Sequence, residues 1–279
     1  MSLFSIFYYL VLSFIYVLAI PYLIFKSRNS KYRQAIPAKF FLKDNVPFKE
    51  NGIWFHSCSM GETKAIKPLI DNYLENANIS VITNTGFKKK KKISPNVRYL
   101  PFEIFLPFWV NKQKVLVVME AELWYLLFLL AKKKGAKTLL INARISDKSY
   151  KSYKRFSFFY ERIFQNIDKV FAQSEVDKYR LEELGASNVE VIGNIKLAQL
   201  PKVNVELVKP KQVVITAAST HENEEKLVLN AYKKEQGKLI IVPRHPERFE
   251  KVDLQILEFI KDKDISYHKY STKNDFDSD

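Results

Sequence analysis

Several acidic, basic and hydroxyl residues stand directly after short apolar runs, where a parallel α/β sheet displays its reactive side chains. The first set is His56-Ser57-Cys58-Ser59-Met60-Gly61-Glu62. Gly61 would permit a tight turn there, and Glu62 would open a helix leading to Asn72. A carboxylate in a first helical turn complements the dipole, so spacing alone leaves Glu62 open between that modest role and a chemical one. Next, Val115 to Met119 delivers Glu120-Ala121-Glu122-Leu123-Trp124, two carboxylates beside a large aromatic, either of which can also serve as a cap or a lysine's partner. The following runs end in Asn142-Ala143-Arg144-Ile145-Ser146, in Ser174-Glu175, which reads as a helix cap, and in Gly193-Asn194-Ile195-Lys196, whose lysine can meet a phosphate.

A second group repeats the arrangement. Ala218-Ser219-Thr220-His221-Glu222 and Val242-Pro243-Arg244-His245-Pro246 both offer hydrogen-bond donors to an anion. Arg244 brings a forked, permanently charged donor, while Ser219 and Thr220 would cradle a phosphate at the following helix start. The plainer alternative is that Pro243 and Pro246 only shape a turn. No carboxylate–histidine spacing suited to a metal stands out, and no metal or cofactor is expected.

These residues need a frame, and the apolar pattern supplies one. Strands are expected at Ile53 to His56, Ile79 to Thr83, Val115 to Met119, Thr138 to Asn142, Val170 to Gln173 and Val189 to Ile192, alternating with amphipathic stretches as in βαβ units. Leu200 to Lys211, with Pro201 and Pro210, reads as a linker. Beyond it come strands at Val213 to Ala217, Leu239 to Val242 and Ile265 to Tyr267, with helices at Glu222 to Tyr232 and Val252 to Ile260, only half of a doubly wound domain. The expected organisation is therefore an anchor over 1–25, a Rossmann-like domain over 26–199, the linker 200–211 and a partial Rossmann-like domain over 212–279. No internal repeat is visible. Lys88 to Lys92 forms the sole low-complexity tract, read either as a solvated loop or as a contact for anionic head groups.

Composition bounds the remaining choices. A chain of 279 residues, 47% of them hydrophobic, can build a core, which excludes disorder throughout. Cys58 is the single cysteine, so no intrachain disulfide forms and a cytosol-facing protein is the simpler reading. The net charge of +15, from 45 basic against 30 acidic residues, attracts polyanions without choosing among them. Basic residues are scattered and no RNA-binding or zinc signature appears, which disfavours a nucleic-acid partner. Met1 to Phe25 carries no charge and meets the roughly 20 residues needed to cross a bilayer, followed at once by Lys26, Arg28, Lys31 and Arg33. A cleaved signal would have a leading charge and a shorter apolar core, so a retained anchor is expected, with the rest of the chain cytoplasmic. The crowd of rings and cations from Tyr150 to Phe159 also suits a membrane interface, unless the aromatics pack in the core.

Taken in order, His56 to Glu62, Val118-Met119-Glu120-Ala121-Glu122-Leu123-Trp124, Asn142 to Ser146, Gly193 to Lys196, Ser219-Thr220-His221-Glu222 and Pro243 to Phe249 resemble the successive signatures of bacterial 3-deoxy-D-manno-octulosonic acid (Kdo) transferases. The resemblance implies a GT-B glycosyltransferase of two Rossmann-like domains, the first holding a lipid A precursor and the second CMP-Kdo, at the bacterial inner membrane. It implies inversion at the anomeric carbon with Glu62 as general base, a role that requires an ionised carboxylate. By the same resemblance Glu120 and Lys196 support the transition state, and Pro243 with Arg244 belong to the CMP site. Ser219, Thr220 and His221 are carried as further donor-side positions, and Ser59, Gly61, Glu122 and Arg144 as acceptor-side ones. Ala121 departs from the threonine usual between the two acids, and Tyr125-Leu126 from the family's Pro-Asn. The family continues past the position of Asp279 with a Gly-rich stretch that closes around CMP, so an incomplete donor site is expected. An inactive or split half of such an enzyme, and another GT-B transferase acting on a lipid-linked sugar, are the competing readings.

Overall fold

The computed structural model describes residues 2–84, 87, 96–198 and 212–273. The lysine tract Lys88 to Lys92 and the expected linker Leu200 to Lys211 lie outside them. The chain divides into two compact units, Met1–Pro201 and Lys202–Asp279.

In the first unit, α1 (Leu3–Ser27) and α2 (Ala35–Phe40) precede seven parallel strands. These are β1 (Ile53–Ser57), β2 (Ala77–Val81), β3 (Val97–Tyr99), β4 (Val115–Met119), β5 (Lys137–Ala143), β6 (Lys169–Ala172) and β7 (Val189–Val191), in the order β3-β2-β1-β4-β5-β6-β7. Between them run α3 (Met60–Ala65), α4 (Lys67–Asp71), α5 (Leu106–Trp109), α6 (Tyr125–Lys133), α7 (Asp147–Arg155), α8 (Ser157–Phe164) and α9 (Glu175–Glu183). The central strands are buried along nearly their whole length, β4 as the run Val-Leu-Val-Val-Met, because a parallel sheet is covered on both faces. Two buried clusters result, one including Trp54, Trp109, Phe128 and Phe164, the other Phe55, Ile66, Ile79 and Met119. Burial of each large side chain contributes about 1.5–3 kcal/mol. Winding reverses between β1 and β4, which opens a crevice at their carboxyl ends.

Three expectations shift in this unit. β2 begins at Ala77 rather than Ile79, because the polar Asn78 is accommodated inside: its amide donates to Gln113 Oε1 at 2.8 Å and to the Lys49 carbonyl at 3.2 Å. β3 was not anticipated, since Val97-Arg98-Tyr99 is a three-residue edge strand with a charge at its centre. The helix expected from Glu62 to Asn72 is two short helices, parted at Ile66 and restarted with Pro68 in the first turn of α4, where a missing N–H costs nothing.

In the second unit, β8 (Val214–Thr220) and β9 (Lys238–Pro243) pair in parallel, followed respectively by α10 (Glu224–Ala231) and α11 (Phe249–Ile260); α12 (Tyr270–Lys273) comes last. Gly237, at φ 111°, enters β9 where an added Cβ would meet the Val213 carbonyl oxygen at 2.2 Å, so only glycine fits. The strand expected at Ile265 to Tyr267 does not form. That run holds too few apolar residues to earn a place in a ladder, and it is tied instead to α11 by the Tyr267 hydroxyl, which donates to Asp253 Oδ1 at 2.6 Å.

Candidate active site

β1 and β4 flank the crevice, and the loops at their carboxyl ends carry the first two sequence sets. Ser59 caps α3: its Oγ accepts the Glu62 N–H at 3.3 Å, and Glu62 reaches back in a capping box. Glu62 Oε1 accepts from the Ser59 N–H at 3.2 Å and its hydroxyl at 2.7 Å, while Oε2 accepts the Cys58 N–H at 2.9 Å. Three donors on a buried carboxylate leave one lone-pair direction open. The spacing Ser59-x-x-Glu62 is itself the sequence signature of this box. Gly61 is not needed for a turn, contrary to expectation. It lies within the first turn of α3, and an added Cβ would meet only Ser59 Oγ at an ordinary 3.9 Å. Its effect is to leave the surface beside Glu62 open.

Two carboxylates follow β4 in different surroundings. Glu120, at φ 54°, pairs with Lys196 Nζ at 2.5 Å, and Asn142 Nδ2 approaches the same Oε1 at 3.4 Å. Asn142, also left-handed at φ 54° and fully buried, accepts the Ile195 N–H on Oδ1 at 3.1 Å, while its carbonyl accepts Gln173 Nε2 at 3.1 Å. One asparagine thereby ties the ends of β4 and β5 to the segment after β7. The strand-end position was visible in the sequence, and asparagine is among the few non-glycine residues that tolerate this conformation.

Glu122 sits deeper. Trp124 Nε1 donates to its Oε2 at 2.8 Å, and His56 Nε2 lies 3.8 Å from the same atom. Burial raises its carboxyl, but His56, the Trp124 indole and the Cys58 thiol outweigh that and hold it below the ordinary range. His56 is fully buried with Nδ1 at 2.8 Å from Ser80 Oγ, which in turn accepts Trp54 Nε1 at 2.8 Å. Burial first, then the charges of Glu122 and Glu62, push the Cys58 thiol up to about 12, so it stays protonated near neutral pH. Lys39 of α2, unremarked in the sequence, is the cation beside this group, its ammonium lowered by burial against the opposing pull of Cys58 and Glu122. Arg144, after β5, is exposed and makes no side-chain hydrogen bond or ion pair among the described residues.

The second unit sorts its residues differently. Thr220 is turned inward, its hydroxyl 2.7 Å from Glu225 Oε1, and is not free to cradle a phosphate. Glu225 is fully buried and paired with Arg248 at 2.8 Å, while Arg248 Nη1 also donates to the Thr220 carbonyl at 3.1 Å. Arg248 stood inside the quoted Pro243 to Phe249 run but was not singled out. Ser219, at φ 60°, sits at the bulge opposite Pro243, and the His221 N–H donates to Glu224 Oε2 at 2.7 Å, so this helix start is already acidic. His221 and His245 face each other with ring centroids 5.9 Å apart, next to Arg244, whose exposed guanidinium has no side-chain partner among the described residues. No group of three or more His, Cys, Asp or Glu able to hold a metal occurs among the described residues.

Residues 28–199 match the model of a family described as 3-deoxy-D-manno-octulosonic-acid transferase (kdotransferase). A bifunctional glycosyltransferase/methyltransferase of Fusobacterium nucleatum subsp. nucleatum is 32% identical over 247 residues, covering 80% of this chain and 38% of that protein. The 3-deoxy-D-manno-octulosonic acid transferase of Rickettsia felis is 35% identical over 228 residues, 72% of this chain and 48% of the relative, and that of Haemophilus influenzae is 27% identical over 271 residues, 86% and 61%. A crystal structure of a glycosyltransferase from Rickettsia africae ESF-5 overlaps at a TM-score of 0.39 with 15% identity, over 77% of this chain and 65% of that one. This chain spans about half the length of the relatives it matches. The family model covers the unit that carries Glu62, Glu120, Glu122 and Lys196, and the chain belongs to the Kdo transferase family.

Proposed function

We propose that this chain contributes to transfer of Kdo from CMP-Kdo to a lipid A precursor at the inner membrane, with Glu62 as the general base. The observation that carries the reading is the position of Glu62 and Glu120, one after each of the two strands that flank the reversal of the sheet, where α/β proteins bind ligands. Glu62 is preorganised by three hydrogen bonds and retains a free lone pair for the proton of an acceptor hydroxyl. As that proton moves, the hydroxyl oxygen bonds to the anomeric carbon of Kdo and the bond from that carbon to the CMP phosphate breaks. A single displacement of this kind inverts the centre and leaves negative charge on CMP. Fixed cations stabilise such growing charge, and Arg244, unspent within its own unit, is the residue assigned to the phosphate. Lys196, held by Glu120, supports the transition state; Ser59, Gly61, Glu122 and Arg144 face the acceptor.

The test is Glu62→Gln in the chain extended to the length of its relatives, with CMP-Kdo and a tetraacylated lipid A precursor as substrates. Glutamine is accepted at this capping-box position, so the helix start survives while the basic site is lost. Turnover should fall about 10²–10⁴-fold with acceptor binding retained. More than about a tenth of the activity remaining would move the base to Glu120 or Glu122.

A further inference from the structure

By length and composition α1 is able to cross a membrane, with 25 residues and a mean hydropathy of 2.3 over its most apolar window. Its packing describes a different arrangement. Ser5, Tyr9, Leu12, Tyr16, Ala19 and Leu23 recur at steps of three or four, Ser5 and Leu23 buried and the other four half-buried, forming one stripe that lies along the first unit. From Ser5 to Leu23 that stripe is roughly 27 Å long at 1.5 Å per residue. The polar groups on this side are used in docking: Ser5 Oγ lies 2.7 Å from the Tyr125 hydroxyl, and Tyr8 donates to Glu103 Oε2 at 2.6 Å. Tyr9 donates to the Ile104 carbonyl at 3.0 Å and Tyr16 to the Phe40 carbonyl at 2.6 Å. Glu103 is itself buried, with its other oxygen accepting the Leu126 N–H at 2.7 Å.

The opposite side is the reverse of a soluble helix. Leu3, Ile6, Phe7, Leu10, Phe14 and Leu18 are 46–85% exposed, and from Leu3 to Leu18 the outward side carries no polar side chain. A bilayer crossing surrounds a helix with about 30 Å of hydrocarbon. Keeping the four docking bonds would drag Glu103, Ile104, Tyr125 and Phe40 of the folded unit into that layer. The residues beyond Leu23 are too few to cross on their own.

We propose that α1 does not cross the bilayer but lies flat in one leaflet, clamped to the first unit by its serine and tyrosine hydroxyls with its apolar side in lipid. The neighbouring surface fits the same occupant. The exposed Phe156 and Phe158, at the junction of α7 and α8, continue the apolar area, and a groove of about 370 Å³ between them and α1 is lined by Phe7 and Val11. The same elements carry cations suited to anionic head groups: Lys26 in the last turn of α1, Arg28 just after it, and the exposed Lys151 and Arg155 on α7. A protein partner would need hydrogen-bonding groups around such a face, and this one offers none between Leu3 and Leu18. The inference stands independently of the transfer reaction.

Cysteine accessibility in whole cells tests it. The 279-residue chain carrying Leu3→Cys or Arg28→Cys is expressed in a bacterial inner membrane. A membrane-impermeant maleimide is applied to spheroplasts and to inverted vesicles, and labelled peptides are read by mass spectrometry with Cys58 kept in place. A flat helix leaves both new cysteines unlabelled in spheroplasts and labels Arg28→Cys in inverted vesicles. Labelling of one of the two from the spheroplast side and the other from the vesicle side shows a crossing and overturns the proposal. A companion measurement sediments the purified chain with vesicles of neutral lipid, with and without a quarter of phosphatidylglycerol. Binding should rise at least about tenfold with the anionic lipid. A dimer that shields Leu10→Cys from maleimide without lipid would assign the face to a second copy and also overturn it.

Discussion

In the first unit a seven-stranded sheet has buried apolar clusters on both faces, and its candidate site residues follow the carboxyl ends of its strands. In the second, two parallel strands and the helices after them bury few large apolar side chains, Leu229 and Val252 among them, while Val213, Ile215, Val242, Leu254 and Leu257 remain exposed among the described residues. The strands are alike in composition. Number of strands and coverage separate them, because a two-stranded sheet is marginal until further strands or helices cover its faces. The second unit leans correspondingly on a polar device, the buried Glu225 gripped by Thr220 and Arg248.

The sharpest way to break this contrast is in the first core. Trp54→Ala should cost about 3–5 kcal/mol in denaturant unfolding, since it removes a fully buried ring and one of the two partners of the Ser80 hydroxyl. Leu254→Ala in the second unit should stay within about 0.5 kcal/mol. Equal losses would mean that the second unit has a core of its own. Next in size, Glu225→Ala should cost about 3 kcal/mol by leaving Arg248 without its buried partner, and backbone amides of β8 should lose protection in hydrogen exchange while those of β4 keep theirs.

Smaller effects sharpen the picture of the site. Asn142→Ala should cost about 1–3 kcal/mol, by forcing a left-handed alanine and freeing the Ile195 N–H, with increased proteolysis near Lys196 as the readout. Glu122 gives a pH signature. A carboxyl depressed by folding contributes stability that is present above the unfolded value of about 4.3 and is lost as pH falls through its lower folded value. Glu122→Gln should flatten the acid limb of the stability curve in that window, less stable than the parent at neutral pH and converging with it below the folded value. The smallest change is Gly61→Ala, expected within about 0.5 kcal/mol of the parent in thermal unfolding.

The sequence made β1 and β4 legible almost to the residue, because both are short apolar runs, Ile-Trp-Phe in β1 and Val-Leu-Val-Val-Met in β4, that end in polar residues. β3 was hidden because its central Arg98 interrupts the apolar pattern on an edge strand, and at Ile265 to Tyr267 β-forming residues stand where no ladder forms. Site residues were legible as strand-end clusters, but not their orientations. Thr220 and Ser219 are adjacent, and only the bulge at Ser219 turns Thr220 inward to Glu225. The apolar character of α1 was plain too, while the tyrosines that hold it against the first unit looked like ordinary members of an apolar run.

Asn142 carries an implication for how this site can change over generations. From the end of β5, its side chain and carbonyl fix three loops at once, those after β4, β6 and β7, through Glu120, Gln173 and Ile195. An inserted or deleted residue in any one of them would pull its partner out of reach of the other two. Their lengths are therefore expected to drift together or not at all.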